Sequence, residues 1–220
     1  MISKSTVFIG LSMLSALAAT AQSGYNLIGA SANQTHFKNE DVSSNSDSFL
    51  GFSVNYLHGF RMLENTPLYL ETGGSMKFMF YSENFKRTNS EYEESGQRTQ
   101  MVTFVAPVNL AYKFNIGEDF SITPFAGIDV KAHLSGWKTT YKKNNDGCQE
   151  ESINLFNDDA NNMNGNVWTR FQTGWNAGLR LSYRHVFLSG SYGTDFAKLS
   201  NHHSNMITTQ NITLSIGYQF

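Results

Sequence analysis

The chain has 220 residues, a formal net charge of −2 and a composition that is 15% charged and 14% aromatic, which suits one domain with a sizeable core. The near-neutral balance disfavours a nucleic-acid binder, whose surface is usually basic, and a mean hydropathy of −0.35 excludes a bundle of membrane-spanning helices. The single Cys148 cannot close an internal disulfide and has no zinc-type Cys or His spacing around it.

In chain order, the first signal is a leader. Lys4 supplies a positive start, residues 7–19 a mostly apolar stretch, and Ala19-Thr20-Ala21 a small-residue cleavage site, with Gln22 next. The apolar stretch is shorter than the roughly 20 residues a membrane-spanning helix needs. The expectation is a signal peptide over residues 1–21 and a mature domain over 22–220.

From Gly24 to Phe220 the chain carries runs in which apolar residues alternate with small or polar ones, the period of a β-strand with two unlike faces. The first run, residues 24–36, is the least regular. The second sets Leu50, Phe52, Val54 and Tyr56 against Gly51, Ser53 and Asn55. The third sets Leu68, Leu70, Met76, Phe78 and Phe80 against Tyr69, Glu71, Gly73, Ser75 and Lys77. In the fourth, Val102 to Phe114 on the even positions oppose a row that includes Thr103, Asn109 and Lys113. In the fifth, Ile122, Ile128, Val130 and Leu134 oppose Thr123, Asp129, Lys131 and His133. The sixth is the most regular, with Phe171, Trp175, Leu179 and Leu181 against Gln172, Asn176, Arg180 and Ser182. The seventh, residues 186–194, alternates less clearly, and the eighth ends in Ile216, Tyr218 and Phe220.

Connections alternate in length: residues 61–66, 115–119 and 184–185 are short, whereas 35–47, 81–98, 135–167 and 195–205 are long. This is the asymmetry of an eight-stranded antiparallel up-and-down transmembrane β-barrel with short periplasmic turns and long extracellular loops. A soluble barrel also alternates, but hides its apolar face inside. Here the polar row mixes Gly, Ser, Asn and Thr with Glu71, Lys77, Asp129, Lys131 and Arg180, a composition that suits a narrow filled lumen. Aromatics also gather at both ends of the runs, with Phe60, Tyr112, Phe114, Phe120 and Tyr183 near the turns. Phe78, Phe80, Tyr81, Trp137, Trp168 and Phe171 lie near the long loops, as two interfacial girdles would.

The final Ile216-Gly217-Tyr218-Gln219-Phe220 resembles the terminal signal read by the machinery that assembles outer-membrane barrels. The segment Val105-Ala-Pro-Val-Asn-Leu-Ala-Tyr-Lys-Phe114, followed by a turn and Pro124-Phe-Ala-Gly127, is similar to the PorT-like outer-membrane barrel family, itself akin in topology to OmpA and OmpX barrels. The resemblance implies a bacterial outer-membrane location, no common catalytic residues, no cofactor and no metal. It also implies association with outer-membrane lipid and lipopolysaccharide, contact with the assembly machinery, and surface or secretion partners.

Among the residues themselves, Glu71, Lys77, Asp129, Lys131 and Arg180 are candidates for a lumenal charge network, because an ionised group in a narrow lumen must be paired or hydrated. Such a network either satisfies the interior as a salt-bridged plug or lines a gated small-ion path. His36, His133, His202 and His203 are the outer-end residues that a lipid-modifying enzyme could use, without a recognisable nucleophile motif. Residues 158–165 offer oxygen ligands but no closing Glu at calcium-loop spacing. Glu83, Glu91, Glu93 and Glu94 alternate with Lys86, Arg87 and Arg98 in the second long connection, which could meet lipopolysaccharide phosphates. The function expected is a non-enzymatic barrel with a structural and surface-interaction role, the alternative being a secretion-associated or narrow-channel component.

Overall fold

The computed structural model describes residues 24–39, 47–85, 94–144, 147–156, 168–196, 199 and 207–220. The leader and its cleavage residues Ala19, Ala21 and Gln22, the pair His202 and His203, and the oxygen-rich stretch 158–165 lie outside the described residues.

Period-two alternation folds as antiparallel strands: β1 (Tyr25–Asn39), β2 (Asp47–Leu63), β3 (Thr66–Phe85), β4 (Glu94–Tyr112), β5 (Phe114–Ile116), β6 (Phe120–Asn144), β7 (Gly147–Asn154), β8 (Phe171–Tyr183), β9 (Val186–Asp195) and β10 (Ile207–Gln219). Eight of them close a barrel in the order β1, β2, β3, β4, β6, β8, β9, β10. β5 continues β4 past Lys113, and β7 pairs with β6 alone. The first and last strands complete the ring over a register from Leu27 opposite Gln219 to Asn39 opposite Ile207. Closure matters because hydrocarbon offers no hydrogen bonds to an unpaired strand edge.

The turns are as short as the sequence implies. Gly117 adopts φ of 72° in the β5–β6 turn, a conformation open to glycine without strain, and Arg184 adopts φ of 52° in the two-residue turn between β8 and β9. The start of the described chain and its last residue lie with these turns, where Asn26 and Phe220 exchange backbone hydrogen bonds of 2.7 and 3.0 Å.

The two faces have the polarity of a membrane barrel. Leu50, Phe52, Val54 and Tyr56 on β2 are 47–56% exposed, as are most of their counterparts around the ring, while Ser31, Asn33, Ser53, Thr103 and Thr123 are buried inside. A soluble protein does not spread so large an apolar belt before water. The hydrocarbon interior of a membrane is the solvent this surface fits.

The outer ends differ from the sequence reading in three respects. Strands run further than expected: β3 continues to Phe85, β4 begins at Glu94, and β6 continues to Asn144 before returning as β7, so much of residues 81–98 and 135–167 is sheet. β8 leaves β6 at the pair Ala132–Phe171, so above that level β6 is flanked by β4 and then β7. Finally, Tyr81 and Trp168 are not girdle residues. They pack against a buried cluster of Phe37, Phe49, Met79, Met101, Phe156 and Leu199 that caps the loop end of the lumen. Phe37 stacks on Trp168 at 5.7 Å and Phe49 on Tyr81 at 5.2 Å. A second cluster, Tyr25, Leu27 and Phe187 with Leu57 and Tyr69, fills the turn end.

Candidate functional site

Between these two apolar caps the lumen is polar and stratified. Nearest the turn end, Glu71 of β3 faces Arg180 of β8 across the barrel, with side chains 0% and 3% exposed. Arg180 Nη1 donates to Glu71 Oε1 at 2.6 Å and Nη2 to Oε2 at 3.0 Å, the bidentate fork that matches a guanidinium to a carboxylate. Tyr25 donates its hydroxyl to the same Oε1. The Arg180 guanidinium also lies 5.3 Å from the Phe125 ring and 5.7 Å from the Phe187 ring. Gly217 makes room for this arrangement, since a Cβ there would lie 2.6 Å from the Phe187 ring.

Above the pair, a cavity of about 140 Å³ is lined by Lys77, Asp129, Lys131, Asn176, Arg180 and Asn211 among others. Lys77 Nζ donates to Thr35 Oγ1 and Asn211 Oδ1, both at 2.8 Å, and has no carboxylate within 4.0 Å among the described residues. Asp129 accepts from Asn176 Nδ2 at 2.8 Å, and the same amide donates to Asn109 Oδ1 at 3.1 Å. Lys131 is ion-paired to Asp195 of β9, which also accepts from the Thr209 hydroxyl. The space is roomy and polar enough for water, which would hydrate the two charges that lack an ionic partner.

His133 occupies the level above, 4% exposed. Its Nδ1 lies 2.8 Å from Thr103 Oγ1 and its Nε2 2.9 Å from Gln172 Oε1, and its ring stacks on Phe156 at 5.8 Å. A hydroxyl is therefore within reach of this imidazole, but both are enclosed in the lumen beneath the loop-end cap. The orienting partner is an amide, not a carboxylate. His36 lies on the opposite parity of β1 from the lumenal residues, so the structure does not bring it to His133. Among the described residues no group of three or more His, Cys, Asp or Glu side chains could hold a metal ion.

All five charges singled out in the sequence face the lumen, but only Glu71 and Arg180 pair with one another; Lys131 pairs with Asp195, outside the five, and Lys77 and Asp129 are held by neutral groups. Asp195 was missed. The sequence placed it in a loop, yet it continues the two-residue spacing of Phe187, Ser189, Ser191 and Gly193 on β9. At the other end of the chain, Ile216, Tyr218 and Phe220 project outward, 47–60% exposed, and Tyr218 stacks on His185 at 5.2 Å.

Solved structures align along most of the chain at low identity. The Yersinia pestis attachment invasion locus protein Ail, in complex with a heparin analogue, is 16% identical over 90% of this chain and 100% of its own, with a TM-score of 0.46. Neisserial surface protein A is 12% identical over 90% and 100%, with a TM-score of 0.37. The N-terminal barrel domain of Pseudomonas aeruginosa OprF is 11% identical over 91% and 100%, with a TM-score of 0.30. No curated protein matches the chain. The model of the outer membrane protein beta-barrel domain matches residues 5–220, and the chain belongs to that family, as a transmembrane barrel of the bacterial outer membrane.

Proposed function

We propose that the protein is a non-enzymatic structural barrel that carries a sheet outward from the membrane for surface interactions. The observation that supports this best is the height of β3, β4 and β6, of 20, 19 and 25 residues, against 13, 10 and 13 for β8, β9 and β10. About 9–11 tilted residues suffice to cross the hydrocarbon, so the excess on the tall strands stands outside it. A lumen capped by apolar clusters at both ends and bridged by two ion pairs supports a stabilising plug over a conducting path. The same reading includes export by a leader cleaved before Gln22, recognition of the β10 terminus by the assembly machinery, and general contact with outer-membrane lipid and lipopolysaccharide.

The test replaces the tip of the β6–β7 hairpin, residues 143–148, with an Asn-Gly turn. The shortened barrel should keep its heat-modifiable gel mobility and stay silent in planar bilayers while losing binding of cells to a surface or partner. Unchanged binding, or conductance in the parent protein, would overturn the reading.

A secretion-associated role of the PorT-like kind is the finer alternative. It draws support from the two segments that carry the resemblance, which lie side by side on β4 and β6, with Asn109 opposite Gly127 and Ala111 opposite Phe125. A deletion strain that accumulates an exported protein in its periplasm would favour it.

A further inference from the structure

Between the two apolar caps, Glu71 is neutralised by Arg180 and Asp195 by Lys131. Lys77 and Asp129 are left over. They are opposite in sign and line the same cavity of about 140 Å³, yet they do not approach within 4.0 Å of one another. The hydrogen bonds show what keeps them apart. The ring order sets β1 and β10 across the barrel from β4 and β6. Lys77 springs from β3, but its ammonium is moored to Thr35 of β1 and Asn211 of β10. Asp129 stands on β6 and is held by Asn176 of β8, which is itself tied to Asn109 of β4. The two charges are thus fixed on opposite walls of the space they share.

Each pole has the groups that a ligand of the opposite charge needs. Asn211 Oδ1 accepts from both Lys77 and Thr35, which fixes the amide, and its buried Nδ2 has no partner among the described residues. An ammonium and an unused N–H therefore stand together at the positive pole, a donor set for a carboxylate. At the negative pole Asp129, which takes one bond from an amide, is the carboxylate that lines the cavity among the described residues. Asn33, Asn55, Ser75 and Ser191 line the space with short polar side chains. The two poles sum to zero charge, so a lone anion or a lone cation would leave the lumen charged, at a cost in desolvation. A volume of this size holds about ten waters, room for a molecule of a few heavy atoms.

We infer that this cavity binds one small zwitterion, an α-amino acid with little or no side chain, its carboxylate on Lys77 and Asn211 and its ammonium on Asp129. Complementarity at both poles selects this class. Water solvates either charge without neutralising it, whereas a zwitterion neutralises both and adds no net charge. The site is also preorganised, because hydrogen bonds to Thr35, Asn211 and Asn176 hold the two charges apart before any ligand arrives. The volume excludes amino acids with long side chains. The site lies wholly inside the lumen, so it stands independently of the surface role proposed above, and a bound zwitterion completes the plug.

The experiment is equilibrium dialysis of the protein, purified from membranes and refolded in detergent in the presence of one radiolabelled probe: glycine, acetate or methylammonium. Refolding with the probe lets it enter before the caps close. Glycine should be taken up saturably, one per barrel, and each single-charge probe about tenfold more weakly or less. Lys77→Met and Asp129→Asn should each weaken glycine uptake about tenfold or more, a loss appropriate to one charge-assisted contact, while the heat-modifiable band persists. If either variant fails to refold, the comparison of the three probes on the parent protein still decides. Acetate or methylammonium held as well as glycine would mean a simple ion site and overturn the inference. Uptake indifferent to both substitutions would do the same, as would a parent protein that holds none of the probes, whose cavity would then contain water only.

Discussion

The lumen holds its charges in two different ways, and the contrast shows what burial demands. At the turn end, Glu71 and Arg180 meet through a two-bond fork, with Tyr25 adding a third bond and two aromatic rings closing the sides. One level up, Lys77 and Asp129 are held by neutral groups around a cavity. The first arrangement sets each charge against its opposite and depends on both members. The second leaves room for water, so neither charge depends on one particular partner.

The strongest way to break this comparison is to remove one member of the lower pair. Glu71→Ala strands a guanidinium that is 3% exposed, and losing one partner of a buried pair costs about 3–5 kcal/mol. Urea unfolding of the refolded barrel should show that loss, and the double variant Glu71→Met with Arg180→Met should recover most of it. A single variant as stable as the parent would mean that the cavity hydrates the guanidinium as well as the carboxylate did. In the upper level, Lys77→Met should change stability by about 1 kcal/mol or less, since the hydrogen bonds lost to Thr35 and Asn211 are offset by no longer burying a charge. A loss as large as that of Glu71→Ala would erase the distinction. The smallest effect belongs to the turn, where Arg184 and Asp119 pair at 3.3 Å with side chains 63% and 48% exposed. Asp119→Asn should cost about 0–1 kcal/mol, less at high salt, because solvent screens the pair.

The barrel wall was legible in the sequence because lipid imposes one rule on every outward position, and a period of two reports it directly. The rows of β2, β3 and β8 were read correctly for that reason. β1 and β9 read less clearly because the caps interrupt the rule from within. Leu27, Phe37 and Phe187 are apolar residues on the polar parity, placed there to seal the lumen. The same interruption hid the cap roles of Tyr81 and Trp168, since an aromatic near a strand end serves a girdle or a cap depending on parity, and parity near a loop is hard to carry forward. The outer strand ends were missed because beyond the hydrocarbon both faces of the sheet meet water. Residues such as Gln97, Thr139, Thr140 and Ser152 then show no contrast between neighbours. The partners within the lumen were illegible for a further reason: Glu71 and Arg180 are 109 positions apart, and a stave assignment alone does not say which charges share a level.

The uneven staves also give the molecule a front and a back in the plane of the membrane. β3, β4 and β6 carry sheet well past the point where β8 and β9 end. A neighbour diffusing in the bilayer therefore meets a standing screen from one side and short staves from the other. Its encounters depend on azimuth as well as on depth, so clustering in a crowded membrane would be oriented, with the screens of adjacent copies facing a common direction or shielding one another.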